Sequence, residues 1–374
     1  MQSPDSYPAT ASSSFVPTGS IIDLLATGPT NRLSDVAGVN LGHAQALGRL
    51  TGCSVILAQS DPSGAVAAVD VRGASPGTRE TDLLASENLV ERVHAIVLTG
   101  GSAFGLAAVD GVVRWLEEQG VGLDTGYGRV PIVPAAVLFD LPVVGVGQDP
   151  KIRPDASLGY AASLNALTTI FSMPSHHHSA DEAKRSRQGN VGAGAGATIG
   201  KLFGMTRRMK GGLGEASVQV GPWIVSAVIA CNAVGDVLDP ATGRVIAGAR
   251  TSDGKQLGDT QAMLLNGERL SRLRPGTNTT IGVIATNATL SKGQAKRLAM
   301  SGHDGLARAI RPAHTPYDGD TLFALATCQL AEAPDVLLLN VMAAEAVARA
   351  IVNAVRYASG VQTIEGWVPA MVDL

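Results

Sequence analysis

Residues 274–287 read RPGTNTTIGVIATN and contain a turn followed by a strand. The Pro-Gly pair predicts the turn, and the apolar, β-branched run Thr279–Thr286 predicts a buried strand behind it. Side chains alternate between the two faces of a strand. Thr279 and Thr280 therefore point in opposite directions, and only one of them can face a given site.

A hydroxyl at the start of a buried strand has two interpretations. A threonine hydroxyl is a weak nucleophile unless a base accepts its proton, and the α-amine of a chain-terminal threonine is one such base. That amine titrates at about pH 7.7–8.0, close to working pH. Thr279 would gain it if the bond after Asn278 were cut. The other interpretation is an ordinary β-branched strand residue, and the local sequence taken alone favours it.

The segments around this strand mix helices and strands throughout the chain. Ser291 and Gln294 fit a capping box before a helix, and a second helix is predicted from Leu106 to Gly120. Further predicted elements are strands at 55–57, 65–71, 93–99, 130–137, 321–327 and 336–340, a strand pair within 216–230, and helices at 157–166 and 343–357. This alternation predicts one α/β layered domain over residues 21–374. Residues 1–20, rich in Ser and Pro, are predicted to be a disordered tail.

Composition argues against several classes of protein. The 374 residues carry a net charge of −3, without the basic surface expected of a nucleic-acid-binding protein. Charges and prolines interrupt the apolar stretches, which argues against a membrane span, and the first residues lack a secretory signal pattern. Cys53, Cys231 and Cys328 form no CxxC motif. We therefore predict a cytoplasmic protein with free thiols.

Two segments resemble ligand-binding motifs but lack residues that those motifs require. GAGAGATIGK (192–201) resembles a P-loop, but Ala195 and Leu202 occupy positions where that loop needs Gly and Ser or Thr. The three histidines 176–178 lie in a polar, charge-rich insertion, residues 172–189, with no carboxylate framework. Such a run predicts a solvated loop rather than a metal site.

The segment around Gly101 and Ser102 lies between a predicted strand and a predicted helix. Its spacing, Gly-x-Ser-x-x-Gly, differs from the Gly-x-Ser-x-Gly of a nucleophile elbow. We predict that the glycines open a helix N-terminus and that Ser102 caps it. Binding of a substrate carboxylate at this N-terminus is a further possibility.

Longer stretches resemble the L-aminopeptidase/D-esterase family, which includes β-peptidyl aminopeptidases and nylon-oligomer hydrolase. The matching segments are GTNTTIGVIATNATLSKGQAKRLAMSGHDGLARAIRPAHTPYDGDTLFALAT (276–327), AAVDVRGASPGTRETDLL (67–84), LTGGSAFGLAAVDGVVRWLEE (98–118), GNVGAGAGATIGK (189–201), MKGGLGEAS (209–217) and VIACNAVGDVLDPATG (228–243). The Asn-Thr-Thr junction together with the His-Thr-x-x-Asp-Gly-Asp run is highly specific.

The resemblance implies an α/β fold of four layers, an αββα sandwich like that of N-terminal nucleophile hydrolases. It also implies a precursor that cuts itself between Asn278 and Thr279 into chains 1–278 and 279–374, with Thr279 as the nucleophile. The other catalytic residues of the family correspond to Lys201, Asn232, Asp318 and Asp320.

The resemblance also implies roles for these residues. Asn232 would stabilise an oxyanion. Asp318 and Asp320 would orient the Thr279 ammonium or relay its proton, and their mutual repulsion should raise one pKa. Phe139 replaces a tyrosine that several relatives carry near the site, and with Gly101 and Ser102 it is a predicted substrate contact.

The implied reaction is hydrolysis of small peptides or amides with a free amino terminus, ω-amino-acid amides included, without a metal or organic cofactor. A homo-oligomer of cut chains is also implied, with neither nucleic acid nor membrane as a partner. Two alternatives stay open. One is an acyltransferase of the ornithine acetyltransferase type, which shares cleavage before Thr, and the other is an uncut, non-catalytic protein with the same fold.

Overall fold

The computed structural model describes residues 25–59, 61–168, 187–272 and 276–374. The predicted tail 1–20, the histidines 176–178 and the proline of the turn at 275–276 lie outside these ranges. The cysteines Cys53, Cys231 and Cys328 are all free thiols, as predicted.

Strands and helices alternate along the described chain. The strands are β1 (Val39–Gln45), β2 (Gly52–Ala58), β3 (Ala65–Val71), β4 (Thr78–Arg79), β5 (Arg92–Val93), β6 (Ala95–Thr99), β7 (Leu123–Asp124), β8 (Arg129–Val130), β9 (Ala135–Val137), β10 (Thr198–Ile199), β11 (Met209–Lys210), β12 (Gly212–Val220), β13 (Trp223–Asn232), β14 (Asp236–Leu238), β15 (Val245–Ala247), β16 (Thr279–Thr286), β17 (Ile310–Arg311), β18 (Thr321–Ala326), β19 (Val361–Thr363) and β20 (Gly366–Val368). The α-helices are α1 (Ala108–Glu118), α2 (Ala156–Thr168), α3 (Thr260–Leu265), α4 (Lys292–Ala309) and α5 (Val336–Arg356).

Two large sheets organise the described residues. The first sheet has the strand order β1-β2-β6-β9-β4, and the second has the order β12-β13-β16-β18-β3-β5. Each contains one parallel pair, β6 with β9 and β16 with β18, whereas its other neighbouring strands are antiparallel. The parallel pair of the second sheet places the start of β16 beside the start of β18.

The two sheets face each other across an apolar layer. Buried side chains from both sheets fill it, among them Ile56, Leu98, Ile281, Val283, Phe323 and Leu325. Residues between them in sequence point the other way: Val55 and Val97 pack against α1 and α2, and Ile284 packs against α4 and α5. This alternation, the period of two of a strand, gives each sheet two buried faces. The layers run helix, sheet, sheet, helix, which confirms the predicted αββα sandwich.

Glycine allows the outer helices to approach closely. A Cβ added at Gly111 of α1 would lie 1.7 Å from the Ala156 carbonyl oxygen, and one at Gly159 of α2 would lie 1.9 Å from the Ala108 carbonyl oxygen. Any side chain at either position would force the two helices apart.

Several predicted elements are confirmed. Strands β3 and β16 have the predicted bounds, and β12 and β13 form the predicted strand pair. Helix α4 begins with the predicted capping box, in which Ser291 Oγ accepts the Gln294 N–H at 3.3 Å and Gln294 Oε1 accepts the Ser291 N–H at 2.9 Å.

Two strand predictions, 93–99 and 130–137, are wrong in their continuity. Between β5 and β6 the chain passes from the second sheet to the first at His94. Within 130–137 only the ends are strands, β8 and β9, and they belong to different sheets. Pro131 and Pro134 lie between these ends and lack the N–H that a ladder requires.

The strand predicted at 336–340 is also wrong, because these residues are the first turns of α5. Asp335 caps the helix: its carboxylate accepts the N–H groups of Leu337 and Leu338 at 2.9 and 3.2 Å. A short apolar run does not distinguish a buried strand from a buried helix. Helix α5 is long and apolar enough to cross a membrane, with a mean hydropathy of 1.6. In this fold its buried apolar residues, such as Leu339, Val347 and Ile351, pack on the second sheet.

We predict that Asp335→Ala lowers the free energy of unfolding by about 1 kcal/mol, because two N–H groups lose their acceptor. Asp335→Asn keeps an acceptor oxygen and should retain most of the stability. Urea unfolding measures both, in a Thr279→Ala background that removes the expected nucleophile of self-cleavage. Glu332→Ala, at an exposed position just before the helix, is the control. Equal stability of the Ala and Asn variants would contradict the role of the cap.

Candidate active site

The predicted nucleophile lies at the start of β16, opposite the last residue of β13. Thr279 pairs with Asn232 in the antiparallel ladder, and only 3% of Thr279 is exposed. Because side chains two apart share a face, Thr279 is on the same face as Ile281 and Val283, toward the layer between the sheets. Thr280 is on the opposite face, as predicted.

The peptide bond before Thr279 is buried and polarised. The Asn278 carbonyl oxygen accepts the Gly319 N–H at 2.9 Å and also the Thr279 hydroxyl. Asn278 itself is fully buried and forms a parallel bridge with Asp318. A Cβ added at Gly319 would lie 2.9 Å from Thr279 Oγ1, so only glycine brings this N–H so close. Two donors therefore draw electron density from one carbonyl.

Lys201 fixes the orientation of the Asn232 amide. The Lys201 ammonium donates to the Asn232 side-chain oxygen at 2.9 Å and to its backbone oxygen at 3.0 Å. The Thr198 N–H donates to the same side-chain oxygen at 2.9 Å. These donors require oxygen on their side, so Asn232 Nδ2 faces away and donates to the Phe139 carbonyl at 3.1 Å. An amide nitrogen has two hydrogens, which leaves one for another acceptor.

Lys201 and Asp318 both have pKa values shifted toward neutrality. Burial lowers the pKa of Lys201 to about 7, although the charge of Asp318 acts in the opposite direction. Burial and, as the smaller cause, the charge of Asp320 raise the pKa of Asp318 to about 6. The expected rise of one carboxyl pKa is thus present, with burial as its larger cause and repulsion as the smaller.

The two carboxylates have different partners. Asp318 accepts the Thr315 hydroxyl at 2.5 Å and the Thr315 N–H at 3.0 Å. Asp320 accepts the Thr280 N–H at 2.7 Å with one oxygen, and with the other it accepts the N–H and Nδ1 of His314 at 3.1 and 2.8 Å. Asp320 therefore holds the backbone directly after the predicted nucleophile.

Gly101 and Ser102, the predicted substrate contacts, form hydrogen bonds with the segment that carries Phe139. Gly101 N–H donates to the Asp140 carboxylate at 2.7 Å, and Ser102 N–H donates to the Leu138 carbonyl at 2.9 Å. The prediction that Ser102 caps a helix is wrong. It is the first residue of a 3₁₀ turn, Ser102–Ala107, whose N-terminal flanking residue is Gly101 and has no side-chain cap. The N–H groups of both residues thus contact the two residues that flank Phe139, Leu138 and Asp140.

A cavity of about 240 Å³ opens beside Asn278. Phe139 and Lys201 line it, together with apolar residues from the 142–143 and 204–205 segments. The full lining is Phe139, Pro142, Val143, Thr198, Lys201, Gly204, Met205, Ser271, Arg272, Thr277 and Asn278. No group of three or more His, Cys, Asp or Glu side chains that could hold a metal ion occurs in the described part of the chain.

Sequence reasoning missed four contributors. Gly319 acts through its backbone, and His314 and Thr315 lie in the recognised His-Thr-x-x-Asp-Gly-Asp run but received no role. Lys210 is a further buried cation: its ammonium donates to the carbonyls of Gly194, Ala197 and Gly211 at 2.8–3.0 Å. It thereby secures the glycine-rich segment that ends at Lys201. Lys210 lies in the MKGGLGEAS stretch that resembles the family, but that stretch alone indicates no role for it.

The sequence profile of peptidase family S58 matches residues 31–368. The chain belongs to this family. An uncharacterized aminopeptidase of Mycobacterium bovis is 42% identical over 360 residues, covering 89% of this chain and 96% of the relative. A 6-aminohexanoate-oligomer endohydrolase of Kocuria sp. is 31% identical over 313 residues, covering 83% of this chain and 79% of the relative.

Solved structures support the fold. The L-aminopeptidase D-Ala-esterase/amidase of Ochrobactrum anthropi, described as a variant of the Ntn hydrolase fold, superposes with a TM-score of 0.64. The two sequences are 20% identical, and the match covers 92% of each chain. The predicted N-terminal nucleophile hydrolase architecture is confirmed. Membership of a peptidase family likewise confirms the predicted class, an enzyme that hydrolyses amide bonds.

The raised pKa of Asp318 predicts a pH-dependent stability. Between the ordinary carboxyl pKa and about 6, the folded chain binds a proton that the unfolded chain releases, so this contribution is present at pH 4 and lost as pH rises through 6. In a Thr279→Ala background, we expect Asp318→Asn to gain about 2–3 kcal/mol relative to its parent between pH 4 and pH 7. Urea unfolding across this range measures it. Asp304→Asn, at an exposed site on α4, is the control, and parallel pH curves for Asp318→Asn and its parent would contradict the assignment.

Proposed function

We propose that this chain is a precursor that cuts its own Asn278–Thr279 bond and then hydrolyses amides with Thr279 as the nucleophile. One observation carries the proposal: the Thr279 hydroxyl lies against the carbonyl of the residue before it, and the Gly319 N–H donates to that same carbonyl. A nucleophile, an electrophile and a donor for the developing oxyanion are thus already together.

In the cutting reaction, Thr279 Oγ attacks the Asn278 carbonyl carbon and its proton passes to a base. Asp318 and Lys201 are the groups with suitable pKa values, about 6 and about 7. The base returns this proton to the amide nitrogen as the tetrahedral intermediate collapses and the C–N bond breaks, which leaves an ester on Oγ and a free α-amine. Water then hydrolyses the ester, releasing the Asn278 carboxylate and restoring the Thr279 hydroxyl. The products are chains 1–278 and 279–374.

In turnover, the new α-amine of Thr279 accepts the hydroxyl proton as Oγ attacks a substrate amide. Asn232 Nδ2 donates one hydrogen to the Phe139 carbonyl, and its second hydrogen stabilises the oxyanion. The substrate amine leaves with the proton, and water hydrolyses the acyl-enzyme. Lys201 contributes by holding the Asn232 amide in the required orientation.

The cavity beside Asn278 indicates where the substrate acyl group binds. In the cutting reaction Asn278 is itself the acyl group, so a substrate acyl group takes the same position. The walls formed by Phe139, Val143 and Met205 are apolar, which favours an acyl chain with methylene groups. The relative from Kocuria is named for 6-aminohexanoate oligomers, and we propose linear amides of this kind and short peptides as substrates.

The decisive variant is Thr279→Ala. Intact mass spectrometry of the purified wild type should show two chains, the smaller beginning at Thr279, whereas Thr279→Ala should show one full-length chain. Thr279→Ser keeps a hydroxyl and should still be cut. Thr280→Ala, whose hydroxyl is on the other face of β16, is the matched control and should also be cut. A folded wild type that stays in one piece would exclude the proposal.

The same preparation separates the two alternatives. Acyl transfer from N-acetylornithine to glutamate in place of hydrolysis would identify an acyltransferase. An uncut chain without amidase activity would identify a non-catalytic protein.

Filling the cavity should discriminate between substrates. We expect Met205→Trp to lower kcat/KM for a 6-aminohexanoate dimer at least tenfold, because its long acyl chain loses space. An alanine amide should be affected less, and self-cleavage should persist because Asn278 is small and already in place. Leu265→Trp, at an exposed position of α3, is the control. Equal losses for both substrates would show that this cavity does not select the acyl group.

A further inference from the structure

Asp320 is a buried carboxylate whose partners are all N–H groups. One oxygen accepts the Thr280 N–H at 2.7 Å, and the other accepts the N–H and Nδ1 of His314 at 3.1 and 2.8 Å. Only 2% of the Asp320 side chain is exposed. The backbone at the nucleophile is therefore held by Asp320, and Asp320 in turn is held by His314.

His314 adopts the backbone conformation that this contact needs. Its φ is 54°, in the left-handed region that few residues other than glycine occupy, with Asn, Asp and His the common exceptions. This conformation turns both the N–H and the ring of His314 toward the same oxygen of Asp320. A carboxylate oxygen only accepts, so Nδ1 carries the proton of the ring.

A second histidine fixes the far side of the His314 ring. The His303 ring lies edge-on to it, with centroids 4.8 Å apart and an angle of 66° between planes. His303 Nε2 lies 3.0 Å from the Asp70 carbonyl oxygen and donates to it, and burial lowers the pKa of His303 to about 4, so this ring is neutral at working pH. Asp70 is itself paired with Arg72 and Lys296 at 2.8 Å. The His314 ring is thus confined between Asp320 and a second anchored ring.

We propose that His314 is the positioning residue for both amide-cleaving reactions: by donating from Nδ1 and from its backbone, it holds the Asp320 carboxylate that places the Thr279–Thr280 peptide. This inference rests on the proposed function. The hydroxyl of Thr279 can reach its target carbonyl only if the following amide is fixed. Loss of the Nδ1 donor releases one oxygen of Asp320 and loosens that amide.

The test compares His314→Asn with His314→Asp. Both residues tolerate the left-handed conformation, and they are nearly the same size. Asn offers an N–H close to the position of Nδ1, whereas Asp has no donor and places a second negative charge against Asp320. We expect His314→Asp to slow self-cleavage and kcat by about 10- to 100-fold, the range for loss of a hydrogen bond to a charged group. His314→Asn should stay within about threefold of the wild type, and KM should change little in either variant.

Time courses of cutting after cell-free synthesis, followed by intact mass, give the first rate, and amide hydrolysis gives the second. Asp304→Asn, on the exposed side of α4, is the control. Equal slowing by Asn and Asp, or wild-type rates in His314→Asp, would overturn the proposal. Both rates are compared with those of an active wild type. A wild type that never cleaves itself would therefore refute the proposed function, and it would not refute the contact between His314 and Asp320.

A second measurement does not depend on how any His314 variant folds. Ring ¹⁵N–¹H correlation spectra of the uncut Thr279→Ala chain, assigned by comparison with His303→Gln, report which nitrogen of His314 carries the proton. A proton on Nδ1 supports the proposal. A neutral ring protonated only on Nε2 would overturn it, because that ring cannot donate to Asp320.

Discussion

Everything at the site depends on the parallel pairing of β16 with β18. The two strands start side by side, so the peptide before Thr279 lies next to the Asp-Gly-Asp turn, about forty residues further along the chain. That one alignment brings the Gly319 N–H to the Asn278 carbonyl and Asp320 to the Thr280 N–H. A shift of one residue would exchange Thr279 and Thr280 between the two faces of the sheet.

The charges around this alignment are buried, and each is matched by specific partners. Burying an ion costs on the order of several kcal/mol even after the protein has relaxed around it. Hydrogen bonds that replace the lost hydration offset this cost. Three carbonyls do so for Lys210, the Asn232 oxygens do so for Lys201, and N–H groups do so for Asp320. Burial nonetheless lowers the pKa of Lys201 and of Lys210 to about 7 and raises the pKa of Asp318 to about 6. These groups can therefore exchange a proton near neutral pH.

The local sequence was enough to predict features that depend on the alternation of side chains along a strand or on the capping of a helix. The bounds of β16, the opposite facing of its two threonines and the cap of α4 follow from patterns within about ten residues. The strand assigned to 336–340 failed because a short apolar run suits helix and strand equally, and the crossing at His94 depends on sheets that form elsewhere. Resemblance supplied the four side chains that we propose act with Thr279. It could not supply Gly319, which acts through a backbone N–H, or the contact of His314 with Asp320.

The depth of the Asn278–Thr279 bond has a kinetic consequence. Asn278 is fully buried and Thr279 is 3% exposed, so the cleft of another protease cannot enclose this bond while the chain is folded. The self-cleavage that we propose would therefore be a first-order event within one molecule. Its rate would be set by the fold and the pH, and dilution would leave it unchanged. Each copy would mature alone, as soon as β16 and β18 have paired.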